Sequence, residues 1–266
     1  MKISIGIVGC AGRMGRMLIQ SILQDKECSL SGGTESNKEF IDKDIGLLVG
    51  NEKFDCNISN DPKALFNNSD VVIDFTNPIA TKLHASIAAE THTPLVIGTT
   101  GLTVEDDKQI VGFSNDVSIV KSSNFSIGIN IIQSEVEKIS GILGSDFDAE
   151  VLEMHHRNKV DAPSGTAIDL GKSIAKGREV LFSDVAKFSR EGETGERSYG
   201  EIGFATLRGG EVVGDHTVIF SSASETIKLS HNAHSRSIFS LGAVCAAKWA
   251  ISSKPGLYTM KDVLSI

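Results

Sequence analysis

Long apolar runs, blocks of lysine and arginine, and paired cysteines are all missing from this sequence. The four cysteines, Cys10, Cys28, Cys56 and Cys245, make no CxxC or other metal-ligand spacing, so no metal site is expected from them. In a chain of 266 residues they read as reduced thiols rather than a disulfide framework, which points to the cytoplasm. The longest apolar stretches, such as Leu241 to Ile251 with Lys248 inside it, fall short of the roughly 20 residues of a membrane span. The apolar run near the start breaks at glycines after about six residues, so neither a secretory signal nor membrane association is expected. With a net charge of -8 and no basic block, nucleic acid is a poor partner, and any anion site must be built locally. No repeats or low-complexity tracts occur. At 40% hydrophobic and 23% charged residues, the chain has the composition of one large or two modest globular domains.

What is present begins with a short β-type run, Ile3, Ile5, Ile7 and Val8, that ends at Gly9. Gly9-Cys10-Ala11-Gly12-Arg13-Met14-Gly15 is a GxxGxxG variant of the dinucleotide fingerprint, and helical apolar spacing follows from Arg16 to Gln24. Glycines let the backbone turn tightly and approach a pyrophosphate, and a helix N-terminus offers free N–H groups. A second strand is expected near Cys28 to Gly32. Glu35, 20 residues after Gly15, is placed to accept ribose hydroxyls, the plainer alternative being a solvated loop carboxylate. Residues 37 to 60 are polar and aperiodic and read as a surface excursion.

The alternation then continues. Strands are expected at Asp70 to Thr76, Pro94 to Ile97 and Val117 to Val120, and helices at Pro78 to Thr91 and Leu102 to Phe113. This is the pattern of a Rossmann-type, doubly wound parallel sheet, in which ligands gather at the carboxyl ends of strands. Two further strand ends carry small or polar residues, Gly98-Thr99-Thr100 and Ser122-Ser123-Asn124-Phe125. Each segment alone could simply cap the next helix. Their shared position favours a cofactor role.

Ile127 to Leu143 reads as a long helix leading into a second domain, and Asp148 to Met154 as a strand. Short strands at Ile202 to Leu207, Val212-Val213, Val218 to Phe220 and Glu225 to Ser230 have antiparallel meander character. The second domain is therefore expected to be α+β, with helices on one face of a mixed or antiparallel sheet. Ser237 to Ile251 is a final amphipathic helix that can pack on either domain.

Between these lies Glu153-Met154-His155-His156-Arg157-Asn158-Lys159-Val160-Asp161-Ala162-Pro163-Ser164-Gly165-Thr166. If the strand continues, Glu153, His155, Arg157 and Lys159 share one side. Adjacent histidines on opposite faces are poorly placed to hold one metal, and a structural histidine pair is the bland alternative. Pro163 to Thr166 fits a helix beginning with proline in its first turn. A plain N-cap explains Ser164-Gly165-Thr166 alone. With His156 and Lys159 beside them, Gly165 and Thr166 look like a carboxylate clamp. Hydride delivered to a carboxylate-conjugated system leaves charge that needs a proton, and histidine is a natural source at neutral pH.

Glu153 to Ala167 resembles the signature E-x-H-H-x-x-K-x-D-A-P-S-G-T-A of the bacterial dihydrodipicolinate reductase family, the 4-hydroxy-tetrahydrodipicolinate reductases of the diaminopimelate route to lysine. The likeness runs from Gly9 through Arg208-Gly209-Gly210-Glu211-Val212-Val213-Gly214-Asp215-His216-Thr217 to the chain end. It implies His155 as proton donor and Lys159 as second catalytic residue, with His156, Gly165 and Thr166 binding a cyclic dicarboxylate. It implies NADH or NADPH as cofactor, held by Gly9, Cys10, Ala11, Gly12, Arg13, Met14, Glu35, Gly98, Thr99, Thr100, Ser122, Ser123, Asn124 and Phe125. It further implies a homotetramer, a cofactor domain of residues 1–126 plus 236–266, and a substrate and tetramerisation domain of residues 127–235. Many relatives carry arginine directly after the acid of the second strand. Here Ser36 follows Glu35, so NADH is expected to serve at least as well as NADPH, although Arg13 and Lys38 offer charge for a 2′-phosphate. Another Rossmann dehydrogenase of a small anionic substrate, or a non-catalytic dinucleotide-binding protein, are the competing readings.

Overall fold

A computed structural model describes residues 2–266, which divide into two compact units, residues 2–127 with 237–265, and residues 128–236 with Ile266. The chain opens with β1 (Ile3–Val8), α1 (Arg13–Gln24), β2 (Cys28–Thr34), α2 (Pro62–Asn67), β3 (Val71–Asp74), α3 (Pro78–Thr91), β4 (Leu95–Ile97), α4 (Val104–Phe113) and β5 (Ser118–Lys121). It continues through α5 (Ile127–Leu143), β6 (Asp148–His155), α6 (Gly165–Gly177), α7 (Phe182–Val185), β7 (Ala186–Lys187), β8 (Ile202–Arg208), β9 (Gly214–Ser221) and β10 (Thr226–Ala233). It closes with α8 (Ser237–Ala250), β11 (Gly256–Tyr258) and α9 (Met260–Leu264).

The first unit is a six-stranded parallel sheet in the order β11-β5-β4-β3-β1-β2. The near-continuous apolar strands are the consequence of helices on both faces. Strand alternation sends Val71 and Ile73 to the layer containing Leu18, Ile19 and Ile22 of α1 and Ala243 and Ala247 of α8. Val72, Leu95 and Ile97 go to the other layer, with Ala85 and Ala88 of α3 and Ile110 of α4. The strand order reverses between β1 and β3, a switch point that leaves a crevice outside their carboxyl ends. The helices start where chemistry allows: Asn77 Oδ1 accepts the Ala80 N–H at 3.1 Å ahead of Pro78, and Thr103 and Asp106 form a capping box on α4.

Three details differ from the sequence expectation here. Helix α1 starts at Arg13, not Arg16, so Arg13-Met14-Gly15 of the glycine motif already lie in its first turn. Helix α2 has no counterpart in the periodicity. Residues 37–60 are anchored rather than superficial, because Ile45 and Ile58 are fully buried. Asp44 ties that segment together by accepting the N–H groups of Gly46, Phe54 and Cys56.

The second unit is a five-stranded mixed sheet in the order β10-β9-β6-β8-β7. β6 pairs parallel with β8 and antiparallel with β9, so only β9 and β10 make a meander. Val212 and Val213 lie outside the strands, and β9 begins at Gly214. On the core face of β6, Ala149 and Val151 pack with Ala167, Leu170 and Ile174 of α6 and with Val218 and Phe220 of β9. That face ends in two polar residues, Glu153 and His155, both buried.

Candidate active site

Strand β6 ends at His155, and the chain turns: the Lys159 N–H donates to the His156 carbonyl at 3.1 Å. Only Glu153 and His155 therefore keep the shared face expected for four residues. Pro163 lies ahead of the helix, with Ser164 as the N-cap, and Gly165 and Thr166 are the first two residues of α6. Ser164 Oγ accepts the Ala167 N–H at 3.2 Å.

Glu153 is the hub of the site. Its Oε2 lies 2.6 Å from His155 Nδ1, and its Oε1 accepts the Ser164 N–H at 3.1 Å. Arg208, directly opposite His155 in the β6–β8 register, donates to both oxygens at 2.8 and 2.9 Å. A bidentate guanidinium on a buried carboxylate fixes its plane as well as its charge. Burial pushes the Glu153 carboxyl up, but the hydrogen bonds from Arg208, His155 and Ser164 outweigh it, and the group titrates below the usual carboxylate range. Burial also depresses His155. The bond and charge of Glu153 raise it again, while Lys159 and Arg208 oppose protonation, and the net position is below an ordinary histidine.

With Nδ1 engaged by Glu153, Nε2 is the ring atom left for a ligand. Gly214 leaves it room: a Cβ at that position would lie 2.9 Å from His155 Nε2. Lys159 Nζ pairs with Asp161 at 2.9 Å. His156 is held by a backbone bond to Val212 O at 2.7 Å, and its Nε2 is 3.3 Å from Arg236 Nη2. Arg208 also holds the Asp161 carbonyl at 2.6 Å, linking the Lys159 turn to the hub. The arrangement gathers cationic and N–H groups, with a histidine whose second nitrogen is unclaimed by Glu153. It suits a small anion that needs a proton.

In the first unit, a cleft of about 460 Å³ lies at the switch point and is lined by Gly9, Gly12, Glu35, Thr76 and His84 among others. Gly9 takes φ +69°, and a Cβ on it would meet the Thr76 methyl at 2.7 Å. Gly12 caps α1 with no side chain over the first turn, which fits a pyrophosphate at that helix start. Arg13 is exposed there and Met14 half-buried, while Cys10 is buried beneath, its thiol pushed up to about 12 first by burial and then by Glu35. Glu35 is oriented at the cleft edge, accepting the Ala11 N–H at 3.2 Å and the Ser36 N–H at 2.9 Å. The residues present thus fit a dinucleotide.

The other two strand ends adjoin this turn. Thr99 Oγ1 accepts the Thr76 N–H at 3.0 Å and donates to Asp74, and a Cβ on Gly98 would strike the Phe75 ring. Thr100 is exposed beside it. The Ser122 N–H donates to Ile97 O at 3.1 Å, and Ser122 Oγ donates to the Asn124 carbonyl at 2.7 Å. Ser123 is exposed in that turn. Phe125 is only 1% exposed, with its ring packed on Phe75, so its side chain belongs to the core. Sequence reasoning missed Thr76, His84, Arg208 and Arg236. Thr76 follows the end of β3 and His84 lies midway along α3, and their place at the cleft depends on strand order.

Both halves of the chain match family models, residues 3–125 that of "Dihydrodipicolinate reductase, N-terminus" and residues 128–264 that of "Dihydrodipicolinate reductase, C-terminus". The 4-hydroxy-tetrahydrodipicolinate reductase of Brucella abortus (strain 2308) is 47% identical over 262 residues, covering 98% of each chain. That of Magnetococcus marinus is 42% identical over 265 residues, covering 99% of each. Among solved structures, dipicolinate-bound dihydrodipicolinate reductase from Paenisporosarcina sp. TG-14 shares the fold, with a TM-score of 0.78, 23% identity and coverage of 97% of this chain and 98% of that one. A probable dehydrogenase from Thermotoga maritima shares it more loosely, with a TM-score of 0.64, 11% identity and coverage of 98% and 92%. Matched in order along both units and across nearly its full length, the chain belongs to the dihydrodipicolinate reductase family.

Proposed function

We propose that the chain reduces 4-hydroxy-tetrahydrodipicolinate to tetrahydrodipicolinate in lysine biosynthesis, with His155 giving the proton and Lys159 holding the substrate and its developing charge. The overall reaction takes up a hydride and a proton and releases water. The observation that carries the residue assignment is the Glu153–His155 contact of 2.6 Å, which fixes Nδ1 and leaves Nε2 toward the space that Gly214 keeps open.

NADH or NADPH, when bound, supplies the hydride. Gly9 to Met14 hold the pyrophosphate at the start of α1, Glu35 the adenosine ribose, and the turns Gly98 to Thr100 and Ser122 to Phe125 the remainder, Phe125 through its backbone. His156 and the first turn of α6, at Gly165 and Thr166, receive a substrate carboxylate, favoured by the positive end of the helix. A dianion beside His155 favours its protonated form, offsetting the depression caused by burial. The Glu153 carboxylate, held by Arg208, stabilises that imidazolium and keeps its ring oriented while Nε2 gives up the proton.

The assembly we propose is a homotetramer built on the second unit, supported by exposed Phe188, Tyr199 and Leu207 on that unit. The free cysteines support a reducing compartment, the cytoplasm. Pyridine-2,6-dicarboxylate, a planar mimic of the substrate, tests the reading directly. It should inhibit NADH oxidation competitively against substrate, and failure to bind would overturn the assignment.

A further inference from the structure

His216 takes no part in the proton transfer described above, yet it is 6% exposed and sits on the core face of β9, directly across from Glu153. Its Nε2 lies 3.0 Å from Ser164 Oγ, and its Nδ1 is buried with no hydrogen-bond partner. A buried polar atom without a partner is costly, and a core position between Gly214 and Val218 has cheaper apolar solutions. The contacts around it close a ring. Ser164 donates its N–H to Glu153 Oε1 at 3.1 Å, and Glu153 Oε2 holds His155 Nδ1 at 2.6 Å. The His155 ring meets the His216 ring edge-on, with centroids 5.0 Å apart.

We propose that His216 is a positioning residue for the reductase reaction: through Ser164 and Glu153 it holds the first turn of α6 and the imidazole of His155 at one fixed separation. The inference rests on the reading of His155 as proton donor. Ser164 caps α6, where the substrate carboxylate is received, and Glu153 orients the donor. A rigid link between the two sets the distance from the anchored carboxylate to the proton. Without His216, Ser164 loses its lateral restraint, and Glu153 can turn toward Arg208 and away from His155. The groups facing His155 are Glu153 on β6, Lys159 in the following turn, Arg208 on β8 and His216 on β9. Those facing His216 are His155, Glu153, His231 and Asp215. Of these, Glu153 raises the pKa of His155, so loosening its grip lowers that pKa.

The test compares His155→Ala, His216→Phe and His216→Gln in steady-state assays across pH. His216→Phe should lower kcat by on the order of 10²-fold, as misplacement of a reacting group does. It should also move the alkaline limb of kcat/KM to lower pH. His216→Gln, whose amide can still reach Ser164 Oγ, should restore most of both. If His155→Ala keeps full kcat, the donor reading falls and the proposal with it. If His155→Ala is inactive while His216→Phe keeps the wild-type kcat and pH profile, the proposal alone is overturned. A loss in His216→Phe with an unmoved profile and no rescue by Gln marks a packing role and also overturns it. Should His216→Phe fail to fold, Ser164→Ala breaks the same link from the other side, and an unmoved alkaline limb there counts against the proposal.

Discussion

Nδ1 of His155 sits 2.6 Å from Oε2 of Glu153, and both side chains are buried at the end of one strand face. The pairing settles which nitrogen of the ring meets the carboxylate and which is left for chemistry. Replacing His155 by Ala should lower kcat by about 10²- to 10⁴-fold with a smaller change in KM. Glu153→Gln presents an amide to Nδ1 and leaves the Arg208 guanidinium without its charge partner. It should lower kcat and also destabilise the protein by about 3 kcal/mol, measured by urea unfolding.

The charge of Lys159 acts on His155 from the turn that follows it. Lys159→Ala should damage both kcat and KM, by roughly 10- to 100-fold in kcat/KM, because a charged contact to a carboxylate contributes about 1.5–3 kcal/mol. An unchanged KM would show that Lys159 does not hold the substrate.

Gly214 faces the reactive edge of His155, where an added Cβ would lie 2.9 Å from Nε2. Gly214→Ala should fold, bind cofactor normally and lose kcat by on the order of tenfold, since the ring must move off its position. Wild-type kcat in this variant would place the substrate on another side of the imidazole.

At the cofactor cleft, Ser36 follows Glu35 and brings no positive charge for a 2′-phosphate. NADH should be used at least as well as NADPH, and a kcat/KM for NADPH more than about tenfold the higher would refute this. Ser36→Arg should shift the ratio toward NADPH.

Stability should depend on pH through the second unit. Burial lowers the pKa of His216 to about 4, and His155 and His231 are lowered as well. The unfolded chain takes up these protons near pH 6.5, so the contribution is complete above that value and is lost as pH falls toward 4. For His216 the loss is on the order of 3 kcal/mol. Asp106, held near 2 by Lys82, titrates below this window. Urea midpoints measured between pH 7 and 4 should fall in the wild type and fall less in His216→Gln.

The parallel sheet of the first unit was legible because its strands are buried on both faces and its helices begin at Pro78 or at Thr103 with an acid three residues on. The Glu153–His155 face was also legible, since two-residue periodicity survives to the strand end. Its extension to Lys159 was not, because the turn after His155 depends on partners at Gly210 and Val212, brought there by the fold. Arg208 escaped for the same reason. Nothing in a run of short strands distinguishes a meander from a β8 strand inserted parallel to β6. Thr76 and His84 became cleft residues only through the adjacency of β1 and β3.

Helix α8 fills the first sheet's core with Ala243, Ala246 and Ala247, and Gly242 there approaches Phe125 O so closely that a Cβ would lie 1.7 Å from it. Strand β11 then completes the sheet edge against β5. On the ribosome, the stretch from β1 to β5 therefore emerges early but must wait, lacking its last helix and last strand. The second unit, nearly contiguous in the chain, can close before it. A chain truncated after residue 236 and released should resist protease in its later part and be cut in its earlier part, an inversion of the order of synthesis.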